Sequence, residues 1–397
     1  MFHGCRRQET GSKSGTPTQI WLTDDLPDLA MLWPRSGDLG DARCYAFQCA
    51  DILEVWCSTV GLARRTQLLF IAVLDAADRP LMLLALGIER RHLLRVLTFL
   101  DGGVCDYASP IIFSPVRDWN EDTVQALWQR LRQILPPFDV TILERMPDHV
   151  GDLPNPLMFL GTSRHSSSCH AITLSGTWDE FVENRLPRRQ DSRRRRRQLD
   201  KLGMLTFEIA KTPDRCEAIL GAIMSQKTRW YIETLGFNLL DRPGFRPYFQ
   251  EAARRLSAPR PVHLSALKLD DTIISAHLGY VVGSRFYQYM PTYAGNLRRY
   301  APGRLLHEHL IEWSFAQGLE FFDFGIGDEE YKNEYCDLVI PLHRVTIPVT
   351  IKGRIYLFLV ALNGRLRKTK LWTFLKLLLQ RDNTKRAGAS GIHARIS

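Results

Sequence analysis

The chain has 397 residues, of which 45% are hydrophobic, enough for two domains with a substantial core in each. Its eight cysteines are scattered with no C-x-x-C pair, and no secretory signal opens the sequence. A structural zinc and a disulfide framework are therefore not expected, and a reducing cytoplasm is the expected compartment. No run of about 18 uncharged apolar residues is present, which excludes a helix crossing a bilayer. The net charge of +9 is local: residues 188–197 carry seven Arg and one Asp, leaving only +3 for the rest. A basic surface of the kind that binds nucleic acid is not indicated.

In chain order, residues 1–19 are polar and rich in Gly, Ser and Thr, and are expected to be disordered. Strand-like runs follow at residues 68–74, 81–88 and 94–100. A long loop then holds Asp101-Gly102-Gly103 and Asp106-Tyr107, before a helix over about 120–134 and a strand over 139–143. The Arg-rich segment lies between Leu186-Pro187 and Leu202-Gly203, so Pro starts and Gly ends a helix of about four turns. The second half repeats the grammar of the first. Residues 263–269 form a strand, Asp270-Asp271 a tight turn, 272–282 a strand, Gly283-Ser284 a hairpin turn and 285–291 a strand; a helix over 305–317 and a strand over 320–326 follow. Two meanders, each ending in a crossover helix, predict a duplicated α/β unit. At the C-terminus, residues 368–379 are basic and amphipathic.

The chemistry concentrates between Tyr300 and Lys332. Ala301-Pro302-Gly303-Arg304 opens a helix, where a glycine lets backbone amides approach an anion and the unpaired N–H groups of the first turn hold it. Arg298 and Arg299 add charge just upstream. Downstream, Phe322-Asp323-Phe324-Gly325-Ile326-Gly327 ends a buried strand and runs into Tyr331-Lys332. Alternation along 273–282 places Ile274, Ala276, Leu278, Tyr280 and Val282 on a core face. Ser275, His277 and Gly279 fall on the other, the small-residue pattern expected where a ligand lies against a sheet. His277 is equally a candidate core histidine. Asp323 and Lys332 either work in a cleft or pair with each other, and Glu308 and Glu312 suit a solvated helix face.

The run Ala301-Pro302-Gly303, a helix, then Asp323-Phe324-Gly325-Ile326-Gly327 and Tyr331-Lys332 resembles the CelD-like acetyltransferases. These form the cellulose and exopolysaccharide biosynthesis branch of the GNAT acyl-CoA transferase superfamily. Weaker similarity covers about residues 44–352. The superfamily's Arg/Gln-x-x-Gly-x-Gly/Ala pyrophosphate loop falls on Arg298, Ala301 and Gly303, with Ala in place of the first Gly. The resemblance implies an α/β fold of tandem GNAT-like domains with mixed sheets and crossover helices, as in the FemABX peptidyltransferases. The expected organisation is a disordered segment at 1–19, a degenerate GNAT-like domain at 20–170, an Arg-rich connection at 171–205, the catalytic domain at 206–356 and a basic tail at 357–397. The first copy offers residues 114–118 before its helix in place of the phosphate loop.

Acetyl-CoA or another acyl-CoA is the implied co-substrate, with no metal. Its expected contacts are Arg298, Arg299, Ala301, Pro302, Gly303 and Arg304, with backbone amides near Met290 polarising the thioester carbonyl. Acyl transfer needs a base for the acceptor and an acid for the thiolate. His277 or Asp323 is the candidate base, Tyr331 the candidate acid, and Lys332 belongs to the same cluster. The acceptor is expected to be a polysaccharide precursor, a sugar nucleotide or a small amine. An aminoacyl-tRNA-dependent transferase of the FemABX kind and a non-catalytic scaffold of a synthase complex are the rival readings. The Arg helix suits a solvated connection, a grip on the CoA 3'-phosphate or an anionic polymer, or RNA, although no aromatic residues interleave it for base stacking. The C-terminal segment suits either a docked terminal helix or an anionic inner leaflet.

Overall fold

The computed structural model describes residues 6–9, 19–113, 119–257 and 261–367. The first half contains β1 (Arg6–Glu9), β2 (Gln19–Thr23), β3 (Ala42–Arg43), α1 (Ala50–Trp56), α2 (Leu62–Arg64), β4 (Gln67–Leu74), β5 (Pro80–Arg91), β6 (Leu94–Phe99), β7 (Ile111–Phe113), α3 (Glu121–Ile134), β8 (Val140–Pro147), β9 (His149–Val150) and β10 (Leu153–Pro154). A connecting stretch holds β11 (Thr162–Thr173), α4 (Trp178–Asn184) and α5 (Arg189–Asp200). The second half contains β12 (Leu205–Ile209), α6 (Pro213–Leu235), α7 (Phe245–Leu256), β13 (Val262–Leu269), β14 (Thr272–Val282), β15 (Arg285–Tyr293), α8 (Pro302–Ala316), β16 (Phe321–Ile326), α9 (Glu330–Tyr335), β17 (Leu338–Pro348) and α10 (Ile351–Arg367).

The duplication expected from the sequence is present. In the first half β4, β5 and β6 form an antiparallel meander, α3 crosses over, and β8 returns parallel to β6. In the second, β13, β14 and β15 form the meander, α8 crosses over, and β16 returns parallel to β15. Both parallel pairs part almost at once. Only Val96 and Leu97 pair across β6 and β8, and only residues 285–287 pair with 321–323 across β15 and β16. The backbone beyond Tyr287 is thereby left without a strand partner on that side, and such groups must find a ligand or another partner.

The two units are sewn together by exchanged strands. β11, which follows the first unit, pairs with β16 of the second, while β17, which follows the second unit, pairs with β8 of the first. β11 and β17 pair with each other, so one sheet runs through both halves in the order β8-β17-β11-β16 at its centre. Residue 170, the expected end of the first domain, lies inside β11.

Two elements were not anticipated. Thr212 caps the amide of Arg215, Pro213 takes the first turn and Gly236 closes α6 in the left-handed region, standard start and stop signals for its 23 residues. α7 follows from Gly244, whose added Cβ would lie 2.5 Å from the Val60 backbone. This close approach of the halves requires glycine. A hydrogen bond from Tyr107 of the first half to a buried ion pair of the second also spans them. Asp323 is fully buried and accepts from Arg285 Nη1 at 2.8 Å, from the Tyr107 hydroxyl at 2.7 Å and from its own Gly325 amide at 2.8 Å. Residues 1–5, 10–18 and 114–118 and the basic 368–379 stretch lie outside the described residues.

Candidate active site

The start of α8 forms one wall of a cavity of 340 Å³ lined by Pro291, Thr292, Tyr293, Arg298, Ala301, Gly303, Arg304, His307, Tyr331 and Tyr335. Four expected ligand contacts, Arg298, Ala301, Gly303 and Arg304, thus come together beyond the point where β15 leaves β16. Residues 295–300 form a short 3-10 helix that ends at Ala301, which caps α8 with φ 47 and ψ 53. Ala301 thereby takes the left-handed conformation that a glycine adopts freely. No side chain caps the helix and no acid stands in its first turn. The amides of this first turn are therefore open to an anion, with no side chain competing for them. A Cβ on Gly303 would meet only Tyr293, at 3.6 Å, so the glycine leaves room for a ligand and is not demanded by packing.

The arginines divide by partner. Arg298 is exposed at the cavity edge with no ion pair among the described residues. Arg299 donates to the Tyr300 hydroxyl at 2.6 Å. Arg304 is tied to Glu334 at 2.7 Å and to the Pro187 carbonyl at 3.0 Å. Pro302 is buried at the helix start and Met290 is buried in the shared core, so Met290 contributes only backbone.

Next to this cavity a basic groove of 530 Å³ lies between α5 and the 3-10 helix, lined by Arg194, Arg195, Gln198, Lys201, Leu202, Arg299 and Tyr300. α5 is docked, not free-standing. Arg194 and Arg195 share Asp191 at 2.7 and 2.6 Å, Ser192 donates to Glu308 on α8, and Arg188 pairs with Glu334. Glu308 therefore belongs to a helix contact and not to a solvated face, whereas Glu312 is exposed as expected.

The four proposed catalytic residues separate. Tyr331 lines the cavity, and burial together with Glu329 pushes its hydroxyl above the ordinary tyrosine range. His277 is fully buried. Its ring stacks on Phe286 at 5.4 Å and sits 6.0 Å from His263, neither nitrogen bonds to protein, and burial drives its pKa well down. The face read as open to a ligand is covered by α8, through Trp313 against His263 and Phe286. A base must reach solvent-borne substrate; His277 does not. Arg285 and Tyr107 hold Oδ2 of Asp323 and the Gly325 amide holds Oδ1, so neither carboxylate oxygen is free. Lys332 does not pair with Asp323. Its ammonium, 2% exposed, donates to the carbonyls of Gly325, Ile326 and Gly327 at 3.1, 2.9 and 3.2 Å and pairs with Glu329 at 2.9 Å. It thus holds the end of β16 in shape.

Asp106 was not anticipated as a site residue. The loop after β6 carries it across the seam to Gly325, where an added Cβ would fall 2.1 Å from its Oδ2. Gly325 has φ 68, which only glycine combines with so close a carboxylate. Burial pushes the Asp106 pKa up to about 7, with Arg145 and Lys332 pulling the other way. The same loop touches β15 through the Tyr289 hydroxyl, which donates to the Val104 carbonyl at 3.0 Å. Loop 101–107 therefore bridges both strands at their parting. Lys227 of α6 lies within electrostatic reach of Asp106 and Glu329, its pKa lowered to about 8 by burial. His307, four residues beyond Gly303 on the same helix face, also lines the cavity. Burial and the nearby Arg304 and Lys332 lower it to about 3, so it is neutral at working pH. The i, i+4 spacing from Gly303 was the available signal for His307; Asp106 had none, because it comes from the other half.

No group of three or more His, Cys, Asp or Glu among the described residues is arranged to hold a metal. Known proteins place the chain by region. Residues 187–333 match the family described as "Acetyltransferase (GNAT) domain". No curated protein matches the chain. Among solved structures it is similar to FemX, with TM-score 0.52 and 13% identity over 77% of this chain and 93% of that one. It is also similar to a conserved protein of unknown function from Bacteroides thetaiotaomicron VPI-5482, with TM-score 0.50 and 10% identity over 82% and 99%. A tandem GNAT protein from the clavulanic acid biosynthesis pathway matches with TM-score 0.44 and 13% identity over 78% and 91%. Residues 187–333 thus match a GNAT acetyltransferase domain, and they sit in a mixed α/β chain built from two meander-and-crossover units.

Proposed function

We propose that the chain is an acyl-CoA-dependent acyltransferase of the CelD-like kind, with acetyl-CoA as co-substrate and a saccharide precursor, sugar nucleotide or small amine as acceptor. The observation that carries this reading is the cavity at the parting of β15 and β16, closed by an uncapped helix start with the unpaired Arg298 at its edge. The pyrophosphate lies on the Gly303 turn and Arg298, the 3'-phosphate in the basic groove of α5, and the thioester at the parting. There the β15 backbone past Tyr287 polarises the carbonyl.

The acceptor enters from the side of the first half, where Asp106 takes its proton as nitrogen or oxygen attacks the thioester carbon. The tetrahedral intermediate collapses, the carbon–sulfur bond breaks, and the thiolate accepts a hydrogen bond from Tyr331. Burial keeps that phenol protonated, so it stabilises the thiolate chiefly as a donor and final proton transfer comes from solvent. His277, Asp323 and Lys332 hold the fold around this site.

A second reading, transfer from an aminoacyl-tRNA, draws on Arg193, Arg194, Arg196 and Arg197, which α5 leaves exposed. An RNA grip there would make log affinity fall by about 0.7 per phosphate with log salt. Calorimetry with acetyl-CoA and CoA tests the choice. One equivalent per chain, weakened a fewfold when Arg194, Arg195 and Arg196 become Gln, is expected. Two equivalents per chain would contradict a single competent half. Discrimination of charged from uncharged tRNA, abolished by the same triple change, would replace acyl-CoA by aminoacyl-tRNA.

A further inference from the structure

α10 is apolar on two sides, and only one of them is covered. Tyr356 and Leu357 pack on Leu94, Val96, Val140 and Ile142. Gly353 lies so close to the Asp139 carbonyl that a Cβ would meet it at 2.1 Å. This inner face fixes the helix on the first half. The outer face carries Ile351, Ile355, Phe358, Leu359 and Leu362 at i, i+4, i+7, i+8 and i+11, exposed by 75, 55, 67, 55 and 42%. A contiguous stripe of that kind on a soluble domain marks an interaction surface. The neighbouring β5–β6 hairpin extends it: Leu94 packs under α10, and Leu93 at the turn is 91% exposed.

The charge around the stripe selects the partner. Lys352, Arg354, Arg90 and His92 are exposed around it, and residues 351–379 contain seven Lys or Arg and no Asp or Glu. A second copy of the chain would set these cations against each other, whereas anionic headgroups neutralise them while the acyl region receives the stripe. We propose that α10 and the β5–β6 turn dock the protein on a bilayer surface carrying anionic lipids, with the helix lying in the interface. The helix does not cross it: no helix among the described residues is long and apolar enough to do so. The proposal is independent of which acyl donor the site uses.

The test is sedimentation of the full chain with vesicles of phosphatidylcholine alone or with added phosphatidylglycerol. Binding to the anionic vesicles is expected to exceed binding to the neutral ones by about tenfold or more and to fall with salt. Phe358→Glu with Leu359→Glu should abolish it while circular dichroism and thermal midpoint stay unchanged, since both side chains face solvent. Lys352→Gln with Arg354→Gln should weaken it and flatten its salt dependence. Failure of the full chain to sediment with anionic vesicles overturns the proposal, as does full binding by the double Glu variant. A dimer that the double Glu variant dissolves would assign the stripe to a second copy. A marked loss of thermal stability in that variant would show that the chain itself covers the face.

Discussion

The two units share a topology and differ at one turn. In the first, α3 begins with Asn120, whose side chain accepts the Thr123 amide, and Glu121 and Asp122 occupy the first turn. In the second, α8 begins with Ala301-Pro302-Gly303, without a side-chain cap or an acid, and with Arg298 and Arg299 immediately before it. The same crossover is therefore sealed against anions in one copy and open to them in the other. What the first copy supplies is the loop between its meander and its crossover, which projects Asp106 and Tyr107 into its neighbour's parted strands. On the proposed function, the duplicated fold divides labour: one copy holds the donor, and the other presents the base and anchors the seam.

The sharpest way to break this division is at Asp106. If the first half supplies the base, Asp106→Asn should lower turnover by about a hundredfold to ten-thousandfold with CoA affinity nearly unchanged. The pH dependence has a definite sign. A carboxyl raised to about 7 accepts a proton only once ionised, so the rate should climb through pH 7 and level off above it. In stability the same group acts oppositely: the fold favours its protonated form, so stability is greatest at acid pH and declines between about pH 4 and 7. A rate profile that keeps its limb near pH 7 in Asp106→Asn would move the base elsewhere.

Next in size is the seam. Asp323→Ala leaves Arg285, 17% exposed, as a buried charge without its partner, and should cost about 3–5 kcal/mol in denaturant unfolding. Replacing both members, Asp323→Leu with Arg285→Met, should recover most of that loss. If the single change costs no more than an exposed pair does, about 1 kcal/mol or less, the pair does not brace β15 against β16 beneath the seam.

The cradle itself separates the copies at smaller cost. Gly303→Val places branched carbons in the cavity and should weaken CoA by about tenfold to a hundredfold, or 1.4–2.7 kcal/mol. Glu121→Val at the matching turn of α3 should leave it unchanged, and equal effects at the two turns would erase the asymmetry.

How much of this was readable before the fold was known depended on range. The hairpin at Gly283-Ser284, the turn at Asp270 with φ 51 and the opening of α8 are written in local residues, and the structure places them where the sequence does. Strand alternation correctly set His277 opposite Ala276 and Leu278, but a period of two says which face a residue takes and not what covers that face; here it is α8 with Trp313. The Tyr107–Asp323 bond joins residues 216 apart and the exchanged strands pair across the halves, and no pattern within either segment announces its partner. The ends of α6 are legible in Thr212-Pro213 and Gly236, whereas its middle carries no strong apolar stripe to mark a helix between them.

The smallest effect probes why the turn before α8, the proposed pyrophosphate site, contains Ala301 at all. An L-residue in the left-handed region is disfavoured by roughly 1–2 kcal/mol, and Ala301 sits there with φ 47. Ala301→Gly relieves that strain but also loosens the unfolded chain, so the net gain should be about 1 kcal/mol or less. Asp78→Gly in the first half, at φ 60 in the turn between β4 and β5, gives a matched relief far from the cradle. Both variants should raise the thermal midpoint slightly. Only Ala301→Gly should also tighten CoA, because removing its Cβ brings the backbone nearer the pyrophosphate. If the two variants gain stability alike and CoA affinity moves in neither, Ala301 is a strained hinge and the anion is held by Gly303 and Arg298 alone.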